Sequence, residues 1–332
     1  MDLVCIGEIL VDFTPGAEEG SYIANPGGAP ANVAVAAARN GLTAGFAGKV
    51  GDDHFGRMLA DMLIAEGVAF LTPEPTPHAV TTMAFVSLDA RGERSFTFAR
   101  KPGADMLLEP GDIDFGVLDS ARMVHAGSCS LSAEPARSAT VSALRRAREL
   151  GRMTSFDVNY REAMWGGDAA ACAAAVREML PLIDLLKVSD EEAWIFGGIE
   201  PFLDACFAAG VSVLAETRGG EGALLHRRAL PNLAASGLDV PVRDTTGAGD
   251  AFWGAFLSSL LLAGVSHSDC LTDDLLAEAL ASANAAGALS VQRSGGIPSL
   301  PTRAEILEMA KEGSYDELTE RAASSPTSSS RP

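Results

Sequence analysis

Short, almost unbroken apolar runs alternate along this chain with longer segments of helical character. That rhythm limits the fold more than any other feature. Residues 3–10, 123–128, 185–188 and 211–217 are such runs, and 154–158 reads as a further buried strand. Apolar stretches of this length, without polar alternation, read as strands buried on both faces. Residues 30–40, 57–66 and 135–150 read as helices, each stopped by a glycine (Gly41, Gly67, Gly151), with Pro30 just inside the first. Two long helices are expected near the end, over 249–263 and 273–290. Strands alternating with helices need crossover connections, so the expected fold is α/β: a doubly wound, mostly parallel sheet with helices on both faces.

One stretch breaks the rhythm. Residues 80–89 and 93–100 are β-rich and joined by Asp89-Ala90-Arg91-Gly92, and Ser95, Phe96, Thr97 and Phe98 alternate as in a strand with one buried face. They belong in a small separate sheet, placed as a lid on the larger one.

Composition removes several function classes. The chain has 332 residues, 47% of them apolar and 21% charged, enough for a sizeable core and unlike a disordered chain. Its net charge of −19 would repel nucleic acid. No apolar run reaches the ~18 residues of a membrane span; residues 251–265 come nearest and are interrupted by Gly254, Ser258 and Ser259. The first residues carry no basic segment of a secretory signal. Cys5, Cys129, Cys172, Cys206 and Cys270 are widely spaced and form no C-x-x-C, so they read as reduced thiols of a cytoplasmic protein. The five scattered histidines offer no metal cage. Residues 323–332 are rich in Ser and Pro, so one domain over 1–314 is expected, with a disordered tail over 315–332.

The strongest chemical signal is Asp244-Thr245-Thr246-Gly247-Ala248-Gly249-Asp250-Ala251-Phe252, which leads straight into a helix. Gly247 and Gly249 let successive amides of the turn face one concavity, an anion site at a helix N-terminus suited to a transferring phosphoryl group. Asp250 in the same turn could accept a proton from an attacking hydroxyl. The competing reading makes Asp250 a charge that complements the helix dipole. No P-loop motif occurs, and Phe252 stands where a dinucleotide fingerprint needs its third glycine.

The 244–252 stretch resembles the C-terminal signature of the ribokinase-like (PfkB) sugar kinases, D-T-x-G-A-G-D. Gly27-Gly28-Ala29-Pro30-Ala31-Asn32, followed by Gly41 and Gly51, resembles their N-terminal one. The resemblance covers residues 2–310. It implies a ribokinase-like α/β domain whose β lid comprises residues 13–25 and 80–104, with ATP as phosphoryl donor, Mg2+ as cofactor and a sugar hydroxyl as acceptor. Within the family the chain looks closest to fructokinases. A 2-keto-3-deoxygluconate kinase is the alternative, and a non-catalytic sugar-binding regulator on the same fold is the alternative of another class. A nucleoside kinase stands third, since such enzymes prefer a more apolar acceptor pocket.

The resemblance also assigns expected roles to single residues. Asp250 matches the general base, and Gly247, Ala248 and Gly249 the anion hole. Asp12, Gly28 and Asn32 match sugar contacts, although Asp12 could be a turn residue and Asn32 a solvent-facing helix residue. Thr217, Gly219 and Gly222 match the family's T-x-G-x-x-G nucleotide loop, and Asn284 a position near the adenine. Ser189-Asp190-Glu191-Glu192 stands where the family usually has N-x-x-E, whose Glu orders water around magnesium. Ser189 departs from that Asn, and the same S-x-x-E is a capping box. Asp157-Val158-Asn159-Tyr160-Arg161, with Trp165, looks like the run of fructokinases and 2-keto-3-deoxygluconate kinases, and Arg161, past the end of a buried strand, could clamp phosphate oxygens. Arg100 in the lid either reaches the acceptor or lies in solvent. Asp244 and Thr246 match ligands of a K+ site, with Ser290, Arg293, Gly295 and Ser299 as weaker partners. An exposed lid edge offers a surface for a homodimer.

Overall fold

A computed structural model describes residues 1–18, 20–88 and 94–312. The described elements run, in chain order, β1 Leu3–Ile6, β2 Leu10–Pro15, β3 Tyr22–Gly27, α1 Ala29–Arg39, β4 Ala44–Ala47, α2 His54–Ala65, β5 Ala69–Phe70, β6 Met83–Leu88 and β7 Arg94–Ala99. They continue as α3 Phe115–Asp119, β8 Met123–Gly127, α4 Ala136–Glu149, β9 Met153–Asp157, α5 Ala169–Met179, β10 Leu185–Ser189, α6 Ile199–Ala209, β11 Val213–Thr217, β12 Gly222–Arg227 and β13 Leu233–Ser236. The last helices are α7 Ala248–Leu262, α8 Asp273–Ser290, α9 Gly296–Ser299 and α10 Arg303–Glu312.

Nine strands form the main sheet in the order β13-β12-β11-β10-β9-β8-β1-β4-β5. The pairs from β5 to β11 are parallel, and β11–β12 and β12–β13 are antiparallel. β1 shows why its sequence reads as unbroken apolar residues. Leu3 and Cys5 face the core beneath α1, α2, α7 and α8, whereas Val4 and Ile6 face the core beneath α4, α5 and α6. The helices therefore cover both faces, as the doubly wound reading requires. The C-terminal ends of β1, β8, β9, β10 and β11 share one edge, where ligands of open α/β sheets bind.

A second sheet has the order β3-β2-β6-β7. β2 pairs antiparallel with β3 and parallel with β6, and β6 pairs antiparallel with β7. Phe13 of this lid stacks on Phe85 with centroids 4.9 Å apart and meets Phe55 of α2 edge-on at 5.4 Å. Leu10 and Ala84 of the lid also pack with Cys129 and Met164 of the main domain, flanked by Phe98 and Trp165.

One expectation is corrected: residues 3–10 are not one strand. The chain turns at Gly7, whose φ of 146° few other residues adopt, and Leu10 already belongs to the lid. The run stays apolar across the break because Ile9 and Leu10 remain buried after it. The turn at 89–92 and the tail at 315–332 lie outside the described residues.

Candidate active site

Two helix N-termini build the centre of the site. α7 begins after Gly247, whose φ is 78°, and no side chain caps it. By contrast, Asp53, Asp168 and Thr272 each accept a first-turn amide at the start of α2, α5 and α8. First-turn amides have no acceptor inside their own helix, so the start of α7 remains a cradle for an anion. Ala248 N is the exception among the three expected amides, because it turns back to Thr245 O at 3.3 Å.

α1 begins in the same place, after Gly28, whose φ is 113°. The two helices approach closely: a Cβ on Gly254 of α7 would fall 2.5 Å from the Ala36 Cβ of α1. This crossing joins the two distant motifs. Asn32 Nδ2 donates to Asp250 Oδ2 at 2.6 Å, and both residues are buried. The solvent-facing reading of Asn32 is therefore wrong, and its Oδ1 is buried without a partner. Burial pushes the pKa of Asp250 up, while the Asn32 hydrogen bond and the charges of Lys187 and Arg161 oppose it.

The remaining acids and bases come from strand ends. Asp12 is a residue of strand β2, opposite Asn25, and not of a turn. Burial pushes its carboxyl up to about 6; Arg161 lowers it, and Asp250 and Asp244 add to the rise. A Cβ on Gly27 would fall 2.4 Å from Asp12 Oδ2, so only glycine leaves that carboxylate its place. Arg161, just past β9, is half-exposed; its Nη1 donates to Tyr160 O at 3.1 Å and stands 4.0 Å from Glu192 Oε1. Glu192 Oε2 accepts Ser189 N at 2.9 Å and Oε1 accepts Tyr160 N at 2.7 Å. The capping contact thus exists, and Glu192 also ties the ends of β9 and β10 together.

Sequence reasoning missed Lys187. Its Nζ donates to Asp157 Oδ2 at 2.7 Å, with both side chains buried. The signal was present in Leu185-Leu186-Lys187-Val188, because a lysine inside a strand buried on both faces has to find a carboxylate.

Arg100 corrects one of its expected readings, the solvent-facing one. Its side chain is only 7% exposed and its Nε donates to Asp105 Oδ2 at 2.8 Å, so it is not solvated. Nη1 also donates to Ser132 Oγ at 3.2 Å, which ties the end of β7 to the main domain. Asp105 accepts from Thr82 as well.

The nucleotide-loop candidates lie further along the same edge, after β11. Thr217, Gly219 and Gly222 form the β11–β12 turn, closed by Arg218 N donating to Gly222 O at 2.8 Å. Glu216 accepts from Arg218 Nε at 3.0 Å and lies 2.6 Å from His226 Nε2. Asn284 of α8 donates to Ser236 O at the end of β13. Asp244 accepts Thr246 N at 2.9 Å and Gly295 N at 3.0 Å, and Ser290 and Ser299 share a hydrogen bond of 2.8 Å. Arg293 pairs with Glu305. The described residues contain no cluster of three or more His, Cys, Asp or Glu able to cage a metal.

A model of the pfkB family of carbohydrate kinases matches residues 1–303. The chain belongs to that family. Among curated relatives, fructokinase-1 of Oryza sativa subsp. japonica is 40% identical over 317 residues, which cover 92% of this chain and 97% of that one. Among solved structures, the ATP-bound fructokinase of Xylella fastidiosa superposes with a TM-score of 0.84 at 30% identity, covering 94% of this chain and 98% of that one. The fructokinase of Vibrio cholerae O395, solved with fructose, ADP and a calcium ion, gives 0.83 at 34% identity, with 93% and 98% covered. For a carbohydrate kinase the arrangement is coherent. A buried carboxylate, an uncapped helix start and a lid acid meet at one point, with a Gly-rich turn further along the same sheet edge.

Proposed function

We propose that this pfkB-family kinase transfers the γ-phosphate of ATP to a primary hydroxyl of fructose, with Asp250 as general base. The 2.6 Å contact between Asn32 and Asp250 carries the reading, because it sets an acceptor-binding amide beside a carboxylate at the mouth of an open anion cradle. The likeness to fructokinases supports fructose as the acceptor.

Asp12, Gly28 and Asn32 hold the sugar, and the carboxylate of Asp250 orients one hydroxyl and takes its proton. The attacking oxygen forms its bond to the γ-phosphorus in line with the breaking bond to the β–γ bridging oxygen, whose electron pair leaves with ADP. The Gly247 and Gly249 amides hold the developing charge, and Arg161 faces the same anion. The β11–β12 turn and Asn284 receive the nucleotide.

Glu192 suits a magnesium ion held through water, since its two accepted hydrogen bonds leave lone pairs. When bound, that ion would neutralise phosphate charge. Asp244, Thr246 and the neighbouring 290–299 segment form the candidate potassium site. Tyr22 and Ile23, exposed on edge strand β3, suit a homodimer through the lid, which sedimentation velocity would read as a species of twice the mass. We place the enzyme in the cytoplasm, in accord with the free thiols; no helix among the described residues is long and apolar enough to cross a membrane.

The test is ADP release from ATP across fructose, glucose, ribose, adenosine and 2-keto-3-deoxygluconate. Fructose is expected to give the highest kcat/KM. A clear preference for 2-keto-3-deoxygluconate would replace the assignment, and no turnover with any of the five would return the chain to a sugar-binding regulator.

A further inference from the structure

We propose that Lys187 is a further residue of the phosphoryl-transfer centre, its ammonium donating to the phosphoryl group held at the start of α7. The inference rests on the kinase reading above.

Lys187 sits in the middle of β10, a strand covered on both faces, and its side chain is 6% exposed. An ammonium has three donors. Asp157 accepts from one, and no other protein acceptor among the described residues bonds to Nζ. A Cβ built on Gly249 would fall 3.2 Å from Nζ and 3.5 Å from Cε, so the ammonium presses against the second residue of α7. This is the wrong place for a cation if the site stays empty. The start of a helix is its positive end, and apart from Ala248 N the first-turn amides there already lack acceptors. An anion lying between the amides and the ammonium satisfies both.

The charges around Lys187 support this. Burial lowers its pKa, but Asp157, Glu192 and Asp250 outweigh burial and keep the ammonium charged. Asp157 itself is pushed up to about 6 by burial, against the pull of Lys187, and its Oδ1 has no partner. Only one carboxylate, itself half-satisfied, bonds the ammonium directly, which is poor compensation for its lost hydration if an ion pair were the whole purpose. In the reaction Lys187 keeps its protons. The hydroxyl oxygen bonds to the γ-phosphorus, the β–γ bridge breaks with its electrons passing to ADP, and the hydroxyl proton goes to Asp250. The ammonium stabilises the charge on the phosphoryl oxygens meanwhile.

A purely structural ion pair is the rival, and a double variant separates the two. Lys187→Met should lower kcat by about 10²–10³-fold, the usual worth of one donor to a developing oxyanion. It should also unfold at lower temperature, because Asp157 is left buried without its cation. Asp157→Leu/Lys187→Met replaces the pair with apolar groups, so its thermal midpoint should recover while its turnover stays low. Calorimetric titration of Lys187→Met with a non-hydrolysable ATP analogue should show affinity down roughly tenfold, about the worth of one charged hydrogen bond, with ADP affinity unchanged. Recovery of turnover together with the midpoint would overturn the proposal, as would equal losses for the analogue and ADP. Wild-type protein inert toward fructose and ATP would instead refute the kinase reading on which the proposal rests.

Discussion

Replacing Asn32 by Leu keeps nearly the same volume in α1 but removes the donor that faces Asp250. The hydrogen bond is 2.6 Å long, its acceptor must be ionised to act as the proposed base, and both residues are buried. Hydrogen bonds to charged groups are worth about 1.5–3 kcal/mol net, which converts to a fall in kcat of roughly 10- to 150-fold. The pH dependence carries the sharper information. Burial raises the pKa of Asp250, and the Asn32 bond is the largest of the influences that lower it. Without that bond the carboxyl needs a higher pH to ionise, so the acidic limb of the kcat profile should move to higher pH. The deficit should then shrink as the pH rises. Fructose KM should rise too, because the unpartnered Asn32 Oδ1 is free to accept a sugar hydroxyl. Turnover measured from pH 5 to 9 by coupled ADP release, on wild type and variant, gives all three quantities. An acidic limb that stays in place, with kcat near wild type, would refute the coupling of Asn32 to Asp250.

Two further variants test the frame around the site. Burial pushes Glu8 up to about 7 from 4.5, so the folded state holds a proton that the unfolded chain releases. Stability is then full below about pH 4.5 and falls as the pH rises through 7, by roughly 2–3 kcal/mol between pH 5 and 8; Glu8→Gln should flatten that part of the urea-midpoint profile, and an unchanged slope would count against it. Arg100→Met leaves Asp105 buried without its cation, which should cost about 3–5 kcal/mol in urea unfolding while fructose KM moves little; a large rise in KM with normal stability would return Arg100 to the sugar pocket.

The fold was legible wherever strands are buried on both faces. The runs at β8, β10 and β11 have most of the apolar continuity that parallel, two-sided burial demands, and Gly41, Gly67 and Gly151 mark helix ends that local chemistry sets. Other strands gave no comparable signal. β4 is Ala-Gly-Phe-Ala, β3 contains Pro26, and β12 and β13 are ordered by pairing beside the β11–β12 turn. Their pairing is a tertiary fact that short sequence windows do not hold. At the site, Asp250 and its glycines were readable because a backbone cradle requires those residues. Lys187 and the commitment of Arg100 to Asp105 were not, since each depends on partners from other elements of the fold. Glu192 stands between: the capping box was visible in Ser189-Asp190-Glu191-Glu192, but its bond to Tyr160 N depends on β9 lying beside β10.

The central claim is that Asp250 takes the proton of the acceptor hydroxyl. Asp250→Asn keeps an oxygen for Asn32 Nδ2 but cannot accept a proton, so the measurement is kcat for fructose phosphorylation by this variant, with fructose Kd and the thermal midpoint taken on the same sample. The account predicts a fall in kcat of about 10²–10⁴-fold, the worth of a general base, with fructose Kd changed far less because Asp12 and Asn32 still hold the sugar. If Asp250 only complements the dipole of α7, the midpoint should drop by the equivalent of about 0.3–1 kcal/mol while turnover persists. Near-normal kcat in Asp250→Asn would contradict the account.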